Sequence, residues 1–369
     1  MKKLMPLARR LKPLVSLLAL DFARRPRRSV NYLRACLAAA RRPTYVRNAP
    51  VSLNIEPTTA CNLKCTMCDR TYSSDLNLGS LSFDDFKEIL SQFHYLLGSH
   101  HIQTGLLMTG LGEPFLNKNL LRMIKYAKNQ GYPYVHTITN GTVLDATKTQ
   151  GIIESGLDHI SVSMDGATKE TFESIRVGAQ FEKVVSSIKD LAIKRTTRNK
   201  PFIDLNITIQ DQNRNELEYV VDLAFEMGVD RVSARVLNAK FAHIEATSSF
   251  GLTDEAIASA MQYARAKNLQ FRYADDDSDP CVYPWIWPYV TWNGYITPCC
   301  YNSDPRNFNF GNLLETSFED IWNSSIYRDF RRDLVSDTPP EICRRCPKCP
   351  SSYTSARNIS ANNELKATR

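Results

Sequence analysis

From residue 51 to residue 237 the chain alternates β-branched runs with helical patterns six times, and this alternation constrains the fold more than any other feature. Strands are expected at 51–58, 104–110, 134–139, 159–164, 202–209 and 231–237, with helices at 82–97, 118–130, 144–155, 169–194 and 214–227. A crossover of about a dozen residues or more is what a parallel strand pair requires. Six repeats of it predict an α/β domain built on a parallel sheet with helices packed against it. In parallel α/β folds the chemistry gathers at the C-terminal ends of the strands.

The segment after the first expected strand reads Cys61-Asn62-Leu63-Lys64-Cys65-Thr66-Met67-Cys68. Three cysteines spaced CX3CX2C on one loop can hold three irons of a 4Fe-4S cube by thiolate and leave the fourth iron open. An open metal position marks a catalytic site rather than a structural one. The other reading is a zinc knuckle short of one ligand. A second cysteine group lies at 281–349. Asn293-Gly294 between two β-rich runs predicts a hairpin, which places Cys281 and Cys299 near opposite ends of it. A helix near 317–332 then leads to Cys343-Arg-Arg-Cys346-Pro-Lys-Cys349. On spacing alone, four of these cysteines suit either an iron–sulfur cluster or a zinc ribbon.

The chain has 369 residues and ten cysteines, clustered at ligand spacings in a chain too large for a disulfide scaffold, which implies a reducing cytoplasmic setting. No run of 18 apolar residues predicts a membrane span. The net charge of +7 is uneven: residues 1–50 hold 13 Lys or Arg and the single acid Asp21, so they carry +12 and the remainder −5. Within residues 1–42, basic pairs alternate with apolar runs, and Leu4, Leu7, Leu11, Leu14 and Leu18 form a helical stripe interrupted by Pro13, with Pro26 as a further boundary. Two readings stand side by side: residues 1–45 contact an anionic membrane peripherally, on its inner face, or the segment is a helix packed on the outside of the α/β domain. No specific nucleic-acid partner is expected.

Together these motifs resemble the radical S-adenosylmethionine (SAM) superfamily, whose fold is a partial (β/α)6 TIM-like barrel, here followed by a small C-terminal SPASM/twitch iron–sulfur domain. Gly110-Leu111-Gly112-Glu113-Pro114 is similar to the family's Gly-Gly-Glu-Pro with one leucine inserted, and Ser163-Met164-Asp165-Gly166 to its Ser-x-Asp-Gly. Gly294 to Cys299 matches GX4C, followed by Gly311-Asn312-Leu313 and the CX2C of Cys343 and Cys346.

The resemblance implies two 4Fe-4S clusters and SAM as cofactors. Cys61, Cys65 and Cys68 would hold the SAM-binding cluster, and Cys281, Cys299, Cys343 and Cys346 the auxiliary one, with Cys349 in reserve for one of them. Gly112, Glu113 and Pro114 would face the amino group of SAM and Ser163 its ribose or carboxylate. Arg176 would face the methionine carboxylate, unless it forms a surface ion pair. Met67 stands where relatives often carry an aromatic near the adenine. The domains implied are a basic segment 1–50, a barrel 51–240, a bridge 241–280, the auxiliary domain 281–350 and a polar tail 351–369.

A SAM-cleaving oxidoreductase follows, served by an external one-electron donor of the flavodoxin or ferredoxin type. The expected reaction oxidises a carbinol of a carbohydrate-like or lipid-linked small molecule, with the auxiliary cluster accepting an electron. The alternatives are an epimerase with Cys300 as hydrogen donor, a peptide-modifying maturase, and a metal-binding module without enzyme activity.

Overall fold

A computed structural model of the chain describes residues 26–73, 75–100, 105–195, 200–237, 254–274, 281–344, 346, 348 and 349. The leucine stripe of residues 4–18, the acidic run 275–279 and the tail 351–369 lie outside the described residues. All six expected strands form: β1 (Ser52–Ile55), β2 (Gly105–Met108), β3 (Val135–Thr139), β4 (His159–Ser163), β5 (Phe202–Ile209) and β6 (Arg231–Val236). Each pairs in parallel with the next. β1 ends before residue 58, where Pro57 has no N–H to give to a ladder.

The sheet is longer than the sequence suggests. The helix Asp254–Ala266 completes the sixth βα unit and β7 (Gln270–Ala274) adds in parallel to β6 as a seventh strand, so the described middle of the expected bridge belongs to the sheet. The exposed Gln270 and Arg272 of this short strand hide its signal. On the other side of β1, β8 (Tyr289–Val290) pairs in parallel and β9 (Tyr295–Thr297) and β10 (Gly311–Asn312) follow antiparallel, giving the order β10-β9-β8-β1-β2-β3-β4-β5-β6-β7. This is an open, partly wound barrel whose first strand carries the C-terminal hairpin on its edge. The Asn293-Gly294 turn closes that hairpin, with Gly294 at φ +87°.

Two expected helices are each two helices. The run 169–194 breaks into Lys169–Ile175 and Phe181–Lys194 at Gly178, whose φ of +96° only glycine adopts cheaply. The break carries Arg176 out of the helix and toward the cysteine loop. The run 317–332 breaks into Phe318–Trp322 and Ser325–Leu334, whose N-cap hydroxyls, Ser317 and Ser324, accept from Asp320 N and Tyr327 N. Such caps stabilise a helix by about 1 kcal/mol each.

The barrel core is aliphatic, with Leu53, Ile55, Leu106, Met108, Ile160, Val162, Leu205 and Ile207 almost inaccessible. The auxiliary domain's core is aromatic: Phe310 stacks on Tyr327 at 3.7 Å, and Trp322 meets Tyr327 edge-on at 5.0 Å. Arg331 is fully buried among them, its guanidinium 4.6 Å from the Trp322 ring and 4.2 Å from that of Tyr327. Arg331 Nε donates to Pro284 O (2.9 Å) and Nη1 to Thr44 O (3.2 Å). The N-terminal helix Pro26–Arg41, opened by a proline at its first position, packs against the short helix Tyr283–Ile286. The helix expected on the outside of the barrel is thus held by the auxiliary domain. Trp285 Nε1 donates to Pro43 O, Trp322 Nε1 to Asn48 O, and Asn323 pairs with the backbone of Val46 through both its amide atoms.

Candidate active site

Cys61, Cys65 and Cys68 lie on the loop between β1 and the helix Asp69–Tyr72, at the C-terminal end of the barrel. The loop is pinned by its backbone: Lys64 N donates to Val177 O (3.0 Å), Thr66 N to Ile175 O (3.0 Å) and Cys68 N to Cys65 O (3.2 Å). Two side chains turn donors toward sulfur, Asn140 Nδ2 to Cys61 Sγ (3.8 Å) and Arg176 Nη1 to Cys65 Sγ (3.9 Å). Burial pushes the Cys65 thiol up to about 11, against the pull of the Arg176 charge. Thiols this reluctant to ionise become thiolates when a metal takes the proton's place. Among the described residues no three Cys, His, Asp or Glu side chains converge as ligands of one ion do, whereas a cubane spreads its thiolates over separate irons. The donor set, thiols with an amide and a guanidinium aimed at their sulfurs, fits a cluster.

Glu113 does not point into the opening. It is 2% exposed and accepts from Thr139 Oγ1 (2.7 Å), Asn140 N (2.7 Å) and Phe115 N (3.1 Å), while burial raises its pKa. Its role here is to fix the turn Asn140-Gly141, which supplies Asn140 to Cys61 and, through Asn62, to the cysteine loop (3.1 Å). The backbone around it is laid along the same loop, Gly112 N donating to Thr58 O (3.2 Å) and Glu113 N to Ala60 O (2.8 Å). A Cβ on Gly112 would stand 2.4 Å from both Thr58 O and Ala60 O, so only glycine fits. Pro114 opens the short 3-10 turn Pro114–Leu116, which Glu113 caps. Ser163 is the last residue of β4, half-buried at the opening, and Met67 packs half-buried at the edge of the core. Arg176 Nη2 is ion-paired to Asp165 Oδ2 at 2.6 Å, and Asp165 Oδ1 accepts from Thr208 N (2.7 Å). The pair is buried, not on the surface.

Beyond the larger effect of burial, the pKa of Cys299 is raised by the charges of Cys300, Cys281 and Cys343 and that of Cys343 by Cys281, and Cys346 adds to Cys281 and Cys343. The Cys281 thiol is pushed up to about 12. Cys349 is fully buried and acts on the same two, Cys281 and Cys343. Cys300 is half-buried beside the phenols of Tyr283 and Tyr289.

Sequence reasoning missed the joint between the two centres. Glu56, one residue past β1, is 1% exposed and has no ion-pair partner among the described residues. It accepts from Leu111 N (2.9 Å), in the glycine segment, and from Tyr289 Oη (3.1 Å), in β8; Trp292 N approaches at 3.5 Å. Desolvation lifts its pKa to about 7. Trp292 lies against Gly79, where a Cβ would come within 2.2 Å of the ring. Gln92 accepts from Phe318 N (2.8 Å) and donates to Leu313 O. The sequence around Asn140 signals only a turn; its amide on Cys61 is a tertiary contact that no local pattern announces.

Residues 55–224 match the radical SAM superfamily and residues 281–347 match SPASM, an iron–sulfur cluster-binding domain. The chain is 25% identical over 322 residues to a PqqA peptide cyclase of Streptomyces rochei, covering 84% of this chain and 85% of that protein. It is 27% identical over 325 residues to a PqqA peptide cyclase of Gluconobacter oxydans, covering 81% and 83%. The fold is similar to that of Streptococcus suis SuiB bound to the precursor peptide SuiA, with a TM-score of 0.63 at 15% identity, covering 82% of this chain and 71% of that one. No helix among the described residues is long and apolar enough to cross a membrane. Together the two matches, over residues 55–224 and 281–347, identify a radical SAM enzyme with a C-terminal SPASM domain, using 4Fe-4S clusters and SAM.

Proposed function

We propose that the enzyme oxidatively modifies a peptide, rather than the carbohydrate-like carbinol that the motifs first suggested. The similarity that supports this runs over four fifths of the chain to two PqqA peptide cyclases. The clusters, when bound, would supply one-electron chemistry: reductive cleavage of SAM to a hydrogen-abstracting 5′-deoxyadenosyl radical at Cys61, Cys65 and Cys68, and an electron acceptor at the C-terminal cysteines. The first electron comes from an external flavodoxin- or ferredoxin-type donor.

The residues have separable tasks in this reading. Cys61, Cys65 and Cys68 hold the first centre, and Asn140 and Arg176 hold their sulfurs in place. Gly112 keeps backbone close to the loop, with Glu113 buried behind it as a brace. Cys281, Cys299 and Cys343 with Cys346 or Cys349 hold the second centre, and Glu56, Tyr289 and Trp292 fix its hairpin to the end of β1.

The test separates peptide from sugar directly. Anaerobically reconstituted enzyme is given an extract of its own host, and release of 5′-deoxyadenosine is followed. Peptide substrate predicts stimulation that disappears when the extract is first digested with protease, and a product two hydrogens lighter. Stimulation that survives digestion but is lost on periodate treatment would return the reading to a carbinol.

A further inference from the structure

The helix Pro26–Arg41 uses one side of itself in the fold. Asn31, Ala35 and Ala38 are buried, and Asn31 ties the helix to the chain beyond it: its Nδ2 donates to Ala49 O (3.2 Å) and its Oδ1 accepts from Ala49 N (2.8 Å). With residues 43–48 clamped by Trp285, Trp322 and Asn323, the helix is a rigid fixture of the auxiliary domain rather than a trailing arm.

The other side is apolar and open. Leu33, Leu37 and Ala40 recur at intervals of four and three, and so form one row. Leu33 is 52% exposed and Leu37 43%, with Tyr32 beside them at 36%. Arg34 and Arg41 flank the row, both exposed. Between Asp21 and Glu56 the sequence has eight arginines and no acid. A row of outward leucines bordered only by cations is the make-up of a helix that lies in a membrane interface, leucines in the acyl boundary and guanidinium groups among anionic headgroups.

We propose that this outer face is a docking foot for an anionic lipid surface. The cations alone would equally suit a nucleic-acid backbone, but phosphates offer nothing to Leu33 and Leu37, so the apolar row favours lipid. The residues ahead of the helix add seven Lys or Arg and the leucine repeat at 4–18, the same combination. Because the helix is fastened to the auxiliary domain, docking sets that domain at the lipid surface whatever the substrate is.

The full-length, cluster-loaded enzyme is sedimented with vesicles of phosphatidylcholine alone and of phosphatidylcholine with phosphatidylglycerol. Binding is expected only with phosphatidylglycerol, weakening as salt rises. The double variant Leu33→Ser/Leu37→Ser should bind roughly tenfold more weakly. Arg34→Ser/Arg41→Ser should also bind more weakly and with a shallower salt dependence, and neither should change SAM cleavage. The proposal is overturned if the leucine variant sediments like the wild type. It is also overturned if the wild type ignores both vesicles; retardation of duplex DNA would then assign the arginines to nucleic acid.

Discussion

Arg176 and Asp165 form a buried ion pair within reach of the first cysteine centre, Nη2 to Oδ2 at 2.6 Å, with side chains 11% and 0% exposed. The same guanidinium reaches Cys65 Sγ, so one cation serves a carboxylate and a sulfur. Removing one member of a buried pair leaves an unpaired charge, which typically costs about 3–5 kcal/mol. Arg176→Ala is therefore expected to lower the free energy of urea unfolding by about that much and to impair loading of the barrel cluster. Unfolding within about 1 kcal/mol of wild type would show that the pair contributes little.

Iron content checks the two-centre assignment. A fully loaded chain should carry about eight irons, and replacing Cys61, Cys65 and Cys68 together should leave about four and abolish SAM cleavage. Replacing Cys281 and Cys343 should leave about four with SAM cleavage retained. About four irons and one zinc per wild-type chain would assign the C-terminal site to zinc. Cys346→Ala and Cys349→Ala, compared singly, show which of the two completes the second centre: only the ligand's loss should lower its iron.

Glu56 gives stability a pH dependence of definite sign. Its folded pKa, about 7, lies above its ordinary 4.5, so folding takes up a proton between those values. Its contribution is complete below about pH 4.5 and is lost as pH rises through 7. Relative to Glu56→Gln, wild-type unfolding free energy should fall by about 3 kcal/mol from pH 4.5 to pH 8. Parallel profiles for the two proteins would contradict a buried carboxyl at this joint.

His136 acts in the opposite sense at the other end of the barrel. It stacks on His159 with ring centroids 3.9 Å apart, and burial lowers its pKa to about 3. The unfolded chain binds this proton first, so stability should decline as pH falls below about 6.5, and the decline should be shallower in His136→Asn. Urea unfolding at pH 7 and pH 5 measures it.

Cys300 is tested by the fate of solvent deuterium. Oxidation predicts a product two hydrogens lighter with no deuterium at the reacting carbon when turnover runs in deuterated water. One deuterium at an otherwise unchanged carbon skeleton, abolished by Cys300→Ala with both clusters intact, would make Cys300 a hydrogen donor and the reaction an epimerisation.

What the sequence discloses and what it conceals divide along a physical line. Cys61, Cys65 and Cys68 are legible because ligand type and spacing are local, and β1 to β6 because β-branched runs between helical periods are local too. Glu56, Asn140 and Tyr289 act through partners 55 to 233 positions away, Leu111, Cys61 and Glu56 itself, and no window of sequence contains both halves. The break at Gly178 escaped because helical period continues on both sides of it, although the break is what delivers Arg176 to Cys65. β7 escaped because an edge strand exposes the very residues whose alternation would reveal it.

The pairing of β1 with β8 sets an order of events at the ribosome. β1 emerges early, yet its second neighbour, Tyr289–Val290, follows about 230 residues later. Until then the nascent chain presents a bare strand edge, with Glu56 awaiting the Tyr289 hydroxyl. A gene cut before codon 289 would not release a self-sufficient catalytic half; it would yield a protein with an open edge prone to self-association. A cut between the barrel and its appendage would therefore divide the sheet they share.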